Sequence, residues 1–350
     1  MYKNIGVLGG NGTLGQCLTQ LLSKQKDIKI KVAFRSNDFL KVTSDNVNYE
    51  KINLDCLEHL REFIGECDLL INCTGYFDKR MIEFCLNSHT HYIDSSGDLY
   101  IEKHLKGLNI NLQTNNLCAI PFLGVNPGLT EILATHVSQV CTTEKLELFF
   151  AGTGELSKSA IREVIETSNP PYSYIQTAII NGKTEKLNFM MKESKLFKDM
   201  KSFYCVPLIN HHFEKCIIYN KISSAYFFNA FYDETLIYKM IEAKFLFQND
   251  KFEDAVSLLE KGFKDYSDGN ITSTMIKIIV NDIHDIDFRS SMDWNELTAL
   301  TIYHTALLIL RNKIKSYGIK SVYKAINVSD LISEIKKHPK INLEMNDRGE

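Results

Sequence analysis

Residues 5–15 read Ile-Gly-Val-Leu-Gly-Gly-Asn-Gly-Thr-Leu-Gly, and this stretch decides the fold. Gly10, Gly12 and Gly15 stand in the spacing G-x-G-x-x-G. An apolar run, Ile5 to Leu8, precedes them, and a helical pattern, Leu14 to Leu22, follows. Strand, tight glycine turn and helix, in that order, are the context in which this spacing binds a dinucleotide. Each glycine is expected to serve a separate end. Gly10 frees the turn out of the strand, Gly12 lets backbone approach a pyrophosphate, and Gly15 lets the helix pack closely on the strand. The helix start then offers unpaired N–H groups and a positive dipole end to the phosphates. Asn11, Thr13 and Leu14 complete the loop that would hold them.

The next strand selects the dinucleotide. Ile28 to Phe34 alternates apolar residues with Lys29 and Lys31 and then runs into Arg35-Ser36. An NAD site usually has Asp or Glu at this strand end, accepting from the ribose hydroxyls. A guanidinium there pairs instead with a 2′-phosphate and stacks beside adenine. Arg35 and Ser36 therefore favour NADP(H), with NAD(H) as the alternative. A third strand, Val47 to Ile52, ends in Asn53-Leu54-Asp55, which adds Asp55 to the candidate cofactor residues.

Alternation of strand and helix continues through the first third, as a parallel sheet with crossover helices requires. Asp68 to Cys73 is a near-continuous apolar run of the kind buried in the middle of such a sheet. It ends Asn72-Cys73-Thr74-Gly75, and Lys79 to Asn87 follows as a helix. His91-Tyr92-Ile93-Asp94 reads as a fifth strand and Cys118 to Leu123 as a sixth. Ligands of such sheets sit beyond the carboxyl ends of the strands. Segments 9–15, 35–36, 72–77 and 94–98 are thus expected to converge on one rim. Gly124-Val-Asn-Pro-Gly-Leu129 breaks the alternation and reads as a hinge. The expected organisation is α/β: a Rossmann-type doubly wound domain over 1–125, an α+β substrate and dimerisation domain over 126–290, and C-terminal helices over 291–350 returning toward the nucleotide domain. In the second domain strands are expected at 146–151, 174–180, 203–209, 216–228 and 272–280, with helices at 130–140, 159–167, 233–247 and 251–264.

Composition narrows the class. At 350 residues there is room for two domains and a large core. A formal net charge of −3 argues against a general nucleic-acid binder and says little about a small-molecule substrate, which is the partner expected from the dinucleotide fingerprint. Nine cysteines, an odd number without any C-x-x-C, read as reduced thiols of a cytoplasmic protein. His89-x-His91 and His211-His212 lack the further ligands of a zinc site, so no metal is expected. The N-terminus enters a strand directly, without a signal-peptide pattern. Leu297 to Leu310 is too short and too polar, with His304, for a transmembrane segment. A homodimer is compatible with the second domain.

Together these pieces resemble the saccharopine dehydrogenase-like NAD(P)-dependent oxidoreductase family. The similarity is carried by Gly9-Gly-Asn-Gly-Thr-Leu-Gly15, by Asp68-Leu-Leu-Ile-Asn-Cys-Thr-Gly-Tyr-Phe77 and the helix leading to Cys85, by His91-Tyr-Ile-Asp-Ser-Ser-Gly97, and by Gly124-Val-Asn-Pro-Gly-Leu129. It spans about the first 130 residues and is thin beyond them, where Asn295 to Thr301 and the Tyr317 segment look similar to the family's closing helices. The resemblance implies NAD(P)(H) chemistry on imines or secondary amines derived from amino acids, and closing helices that pack back near the nucleotide domain. Two departures matter. Gly75-Tyr76-Phe77 stands where many members have Gly-Pro, and Asn126 stands where saccharopine-forming relatives often carry Asp. A neutral Asn126 cannot supply that charge to a substrate amine.

The chemistry expected from these residues is hydride transfer, with the protein positioning the cofactor and handling the proton. Asn72, Thr74 and Gly75 would hold the nicotinamide end. Asp94 and Tyr92 are the catalytic candidates, with His91 and Asp98 beside them; Asp94 as a cap of the Ser95-Ser96-Gly97 turn is the competing reading. Tyr92 and Asp94 are two apart on a strand and face one side. Tyr76, Asn126 and Arg162 are the candidate substrate-binding residues; the fork of Arg162 suits a carboxylate, while Lys158, Tyr172 and Tyr174 are secondary. Lys79 and Arg80 either solvate a helix start or neutralise a substrate acid. Two other functions fit the same fold: reduction of a C=C bond on a lipid-like or carrier-bound substrate, and a non-catalytic NADP(H) sensor. A short-chain dehydrogenase is disfavoured, because none of the sixteen tyrosines has Lys four residues on.

Overall fold

The structure is a computed structural model; it describes residues 3–36, 41–96 and 105–347. The chain divides into two compact units: Met1–Leu129 with Asn295–Ile335, and Thr130–Trp294 with Lys336–Glu350.

The first unit is built on six strands of the amino-terminal third: β1 (Lys3–Leu8), β2 (Ile28–Phe34), β3 (Val47–Lys51), β4 (Leu69–Asn72), β5 (His91–Asp94) and β6 (Cys118–Ile120). Every neighbouring pair is parallel, in the order β3-β2-β1-β4-β5-β6. That is the doubly wound order, with its switch point between β1 and β4. All four residues of β4 are buried, as a strand covered on both faces demands. The covering helices are amphipathic. α1 (Thr13–Leu22) buries Leu18 and Leu22, α2 (Leu57–Gly65) buries Leu60, Phe63 and Ile64, and α3 (Lys79–Asn87) buries Met81, Ile82 and Cys85. Phe63 meets β1 where it carries Gly6: a Cβ there would stand 2.9 Å from the phenyl ring.

Residues from the far end of the chain complete this unit. The helix Trp294–Leu310 is apolar around most of its circumference and buries ten residues, the mark of a core helix. A short strand, Gly318–Ile319, then adds itself in parallel to the outer edge of β6. The doubly wound sheet thus has seven strands, with closing helices packed back on it.

The second unit is a ten-stranded mixed sheet. Its middle is the strand Lys145–Gly152, parallel to Ser224–Phe231 on one side and antiparallel to Thr274–Val280 on the other. The helices Lys158–Thr167, Thr235–Gln248 and Phe252–Asp268 share a core of Ile161, Ile165, Leu236, Leu259 and Phe263. A second core gathers Phe149, Phe197, Phe203, Phe228 and Met275.

Two expectations are corrected. The run 216–228 is not one strand. His211–Asn220 is a helix, capped by Asn210, whose side chain accepts the Phe213 N–H at 2.8 Å. Phe213, Cys216 and Ile217 form its buried face at helical spacing. The stretch 291–350 is not helical to its end either. Ile341–Asp347 is a strand, antiparallel to His284–Ser290 over seven residue pairs in the second sheet. No helix among the described residues is long and apolar enough to cross a membrane.

Phe63→Ala is expected to cost about 3–5 kcal/mol by leaving a cavity between α2 and β1. A urea titration would register this as a lower midpoint at unchanged slope.

Candidate functional site

The rim beyond the carboxyl ends of β1–β6 begins with the glycine turn. Gly9 has φ +84°, so the sharp turn out of β1 falls here rather than at Gly10. Gly10 is required for a different reason: its Cβ would stand 2.0 Å from Val32 Cγ1, and its N–H donates to the Ala33 carbonyl at 2.8 Å. At Gly15 a Cβ would fall 2.2 Å from the Gly9 carbonyl oxygen, so α1 rests on the turn through bare backbone. Gly12 differs from all three. It caps α1 without a side-chain hydrogen bond, and a Cβ there meets only the Gly9 oxygen, at an ordinary 3.5 Å. Nothing in the fold forbids a side chain at Gly12; the bare space lies over the helix start. The first turn of α1, which begins with Thr13 and Leu14, carries no acidic residue. An anion placed there would meet N–H groups and the helix dipole, with no acidic side chain in that turn to oppose it. Asn11 is held by its carbonyl, which accepts from Gln16 Nε2 at 3.0 Å. Gly9 was not among the expected site residues, although the doubled Gly9-Gly10 was its signal.

At the end of β2, Arg35 is exposed and pairs with no carboxylate among the described residues. Ser36 beside it is half-buried. Asp55 is exposed at the end of the segment after β3, near enough to Tyr76 for its charge to help push the phenol up, after burial and Asp78. The β3 and β4 loops thus border each other.

The ends of β4 and β5 carry a buried polar cluster. Asn72 and Asp94 are partners in the parallel ladder, as are Leu70 and Tyr92. Asn72 and Asp94 are 0% exposed and Tyr92 is 1% exposed. Asn72 Nδ2 donates to the Tyr76 carbonyl at 2.7 Å and to Asp94 Oδ2 at 3.1 Å. Asn72 Oδ1 accepts from the Thr74 hydroxyl at 2.6 Å and the Thr74 N–H at 3.1 Å. The Tyr92 hydroxyl donates to Asp94 Oδ2, and the Ser96 N–H donates to Oδ1 at 2.8 Å. Burial holds the Asp94 carboxyl above the usual carboxylate range against these donors, and burial together with the Asp94 charge raises the Tyr92 phenol. Gly75, at φ +69°, turns the loop so that Tyr76, 36% exposed, reaches the surface.

This geometry corrects the expectation that Asp94 and Tyr92 meet a substrate. Both are sealed inside, and their polar atoms are engaged with one another, Asn72 and the Ser96 N–H. His91 is removed from the rim altogether. It opens β5, at the opposite edge of the sheet, where its Nδ1 accepts the Cys118 N–H at 3.1 Å. Asp98 lies outside the described residues. Lys79 faces Glu83 across one helical turn at 3.8 Å, and Arg80 is held on Asp78, Nε to Oδ1 at 2.8 Å, while Asp78 also caps α3.

Asn126 occupies a tight turn. The Gly124 N–H donates to the Pro127 carbonyl at 2.9 Å and the Leu129 N–H to the Gly124 carbonyl at 3.0 Å. The Leu123 N–H, just before this turn, donates to the Asp94 carbonyl at 2.9 Å, which ties the turn to the end of β5. Asn126 Oδ1 is buried and lacks a hydrogen-bond partner among the described residues. Arg162, in the second unit, is not a waiting carboxylate fork. Its guanidinium is paired with Glu253 and lies 4.8 Å from the centre of the Phe252 ring. Lys158 faces Glu260 at 3.8 Å, and Tyr174 is exposed on a short strand, Ser173–Ile175. Among the described residues no three His, Cys, Asp or Glu are grouped to hold a metal ion.

Comparison with known proteins agrees with this geometry. Residues 5–116 match the family model of the saccharopine dehydrogenase NADP binding domain. An apo saccharopine dehydrogenase (L-Glu forming) from Saccharomyces cerevisiae superposes with a TM-score of 0.68 over 99% of each chain, at 13% identity. This shows a shared fold along the whole chain. An engineered D-amino acid dehydrogenase bound to NADP+ covers 95% of this chain and 99% of its own, but at a TM-score of 0.46 and 15% identity the likeness is too loose to argue from. A search of curated protein sequences found no match.

His91 gives a pH prediction. Burial first, and then the nearby Lys3 charge, lower its imidazole from the ordinary 6.5 to about 4. The unfolded chain therefore takes up this proton before the native state does, so stability is full above pH 6.5 and is lost as pH falls toward 4. The loss amounts to about 3 kcal/mol. Urea midpoints measured between pH 7 and pH 4 should fall less steeply for His91→Gln than for the native chain.

Proposed function

On the premise of an amino-terminal domain of the saccharopine dehydrogenase NADP binding family, we propose that the protein is an NADP(H)-dependent oxidoreductase that moves a hydride to or from an imine or secondary amine built from an amino acid. The observation that carries the cofactor part is the open helix start at Gly12, where fold and packing leave room that a side chain would fill.

The residues present fit NADP(H). Gly10 to Leu14 take the pyrophosphate on backbone N–H groups. Arg35, exposed and without a carboxylate partner among the described residues, takes the 2′-phosphate, with Ser36 beside it. NAD(H) lacks that phosphate and would leave Arg35 unused. Asp55 borders the adenosine side, Asn72, Thr74 and Gly75 support the nicotinamide end, and Tyr76 stands beside them toward the substrate. When bound, NADPH supplies the hydride.

The C–N reading rests on the family of the first domain and on Asn126. Its carbonyl oxygen, buried and unpartnered among the described residues, requires a donor, and the N–H of a bound secondary amine is one. Being neutral, Asn126 accepts that hydrogen without demanding a positive charge on the nitrogen. A carboxylate at this position would favour a protonated secondary amine such as saccharopine. We therefore assign a substrate whose nitrogen donates while neutral, and place saccharopine itself lower.

Two measurements test the reading. Gly12→Val is expected to abolish NADPH binding, followed by nicotinamide fluorescence, while thermal unfolding stays within a few degrees of the native chain. Unchanged binding would remove the assigned phosphate loop. Arg35→Ala should weaken NADPH about tenfold or more and leave NADH nearly unaffected. NADPH oxidation across paired amines and 2-oxo acids then decides the chemistry. Tight NADPH binding with no turnover in any pair would set aside the C–N reading in favour of a sensor.

A further inference from the structure

The buried cluster at the ends of β4 and β5 has the anatomy of a positioning device. An amide side chain can sit in its site in two orientations that differ only in which end donates. At Asn72 the Tyr76 carbonyl, the Thr74 N–H and Asp94 all demand the same orientation, and of the three only Asp94 lies outside the loop that the amide holds. An ionised carboxylate only accepts, so the end of the amide facing Asp94 Oδ2, 3.1 Å away, must be the NH2. The carbonyl end is then turned to Thr74, where it accepts both the hydroxyl at 2.6 Å and the N–H at 3.1 Å. The same NH2 also holds the Tyr76 carbonyl at 2.7 Å. Thr74 passes the constraint on in two directions. Its hydroxyl accepts the Tyr76 N–H at 3.0 Å, and its Cγ2 sits 2.9 Å from where a Gly9 Cβ would stand. One carboxylate thus orders an amide, the amide orders a loop, and the loop packs on the glycine turn.

Asp94 does cap the turn that follows it, through the Ser96 N–H on Oδ1 at 2.8 Å, but an Asn at position 94 would cap that turn equally well without a charge. No Lys, Arg or His among the described residues pairs with Asp94. The titratable groups that face it are neutral ones: Tyr92 on its own strand and the Cys73 thiol on the β4 loop, which burial and then the Asp94 charge push up. Behind Tyr92 stands the Cys85 thiol of α3, raised by burial. A buried charge without a cation costs free energy that an apolar pair at these positions would not. What the charge gives in return is direction: of the side chains bonded to Asn72 (Thr74, Tyr92 and Asp94), it is the one that cannot also donate.

We propose that Asp94 and Tyr92 are positioning residues, which act through the amide of Asn72 to hold the Thr74–Tyr76 loop in the conformation that receives the nicotinamide half of NADP(H). The proposal rests on the cofactor reading above and replaces direct catalysis by Asp94 and Tyr92. Asp94→Asn keeps shape and volume but puts either an NH2 or a carbonyl toward Asn72, so the amide loses the one partner outside the loop that dictates its orientation. Tyr92→Phe leaves the carboxylate in place and removes one of its donors.

The test is calorimetric titration with NADP+ from pH 5 to pH 8 on the native chain, Asp94→Asn and Tyr92→Phe, with thermal unfolding of each. The native chain is expected to lose affinity as pH falls and the buried carboxylate takes up a proton. That step should be absent from Asp94→Asn, which binds about tenfold more weakly at pH 7.5; titration of the ribose phosphate is common to all three proteins. In Tyr92→Phe the step should remain and move to higher pH, because the carboxylate has lost a donor that favoured its charge. Native-like affinity and pH profile in Asp94→Asn, with only a lowered melting temperature, would overturn the proposal and leave the cofactor reading standing. Should Asp94→Asn fail to fold, an unshifted step in Tyr92→Phe has the same meaning. Absence of NADP+ binding by the native chain would overturn both.

Discussion

The first unit is organised by one close approach, that of helix α1 to the turn that leaves β1. With bare backbone at Gly15, the helix can sit where a Cβ would be 2.2 Å from the Gly9 carbonyl. This approach brings the start of α1 to the switch point between β1 and β4, where the sheet opens a crevice. Any side chain at Gly15 would push the helix start away from that crevice. The remaining site elements are arranged around this fixed point. The β2 end presents Arg35 on one side, and the β4 loop, packed against Gly9 through Thr74, closes the other. The sheet thus supplies a rim, and the glycine contact decides where along it the start of α1 stands.

The two units handle buried polarity differently. In the second, Lys277 is 7% exposed on the strand Thr274–Val280 and lies between Asp285 at 2.8 Å and Asp287 at 2.7 Å. Charge is buried there with its counter-charge, and the ring of Phe197 lies 5.6 Å away. At the end of β5 charge is buried with dipoles only. The first arrangement is tolerant, because an ion pair keeps its partners under small shifts. The second is demanding, because each donor of Asp94 must point correctly. Demanding geometry is affordable where a loop has to be held in one shape.

What the sequence revealed follows from the range of the interactions involved. The glycine turn, the parallel strands and the break in their alternation at Gly124–Leu129 are written in neighbouring residues, so they are legible in one dimension. The helix His211–Asn220 is concealed in the sequence because Ile217 and Ile218 carry β-type preference, while the Asn210 cap and the spacing of Phe213, Cys216 and Ile217 are what mark it as helical. The strand Ile341–Asp347 exists through pairing with His284–Ser290, roughly sixty residues earlier, and no local pattern announces that. Arg162 looked available because Glu253 is 91 residues away in sequence. Asp94 and Tyr92 were correctly seen to share a side. That the side faces Asn72 and not solvent depends on register between strands, which a single strand does not carry.

The path of the chain has a consequence of its own. It passes between the two units three times, after Leu129, after Trp294 and after Ile335. The first unit borrows its outermost strand, Gly318–Ile319, from the far end of the chain. A fragment ending near residue 129 would therefore expose the edge of β6 as unpaired N–H and C=O groups, an adhesive border for other chains. The apparent domain boundary is therefore not a point at which the first unit can be cut free.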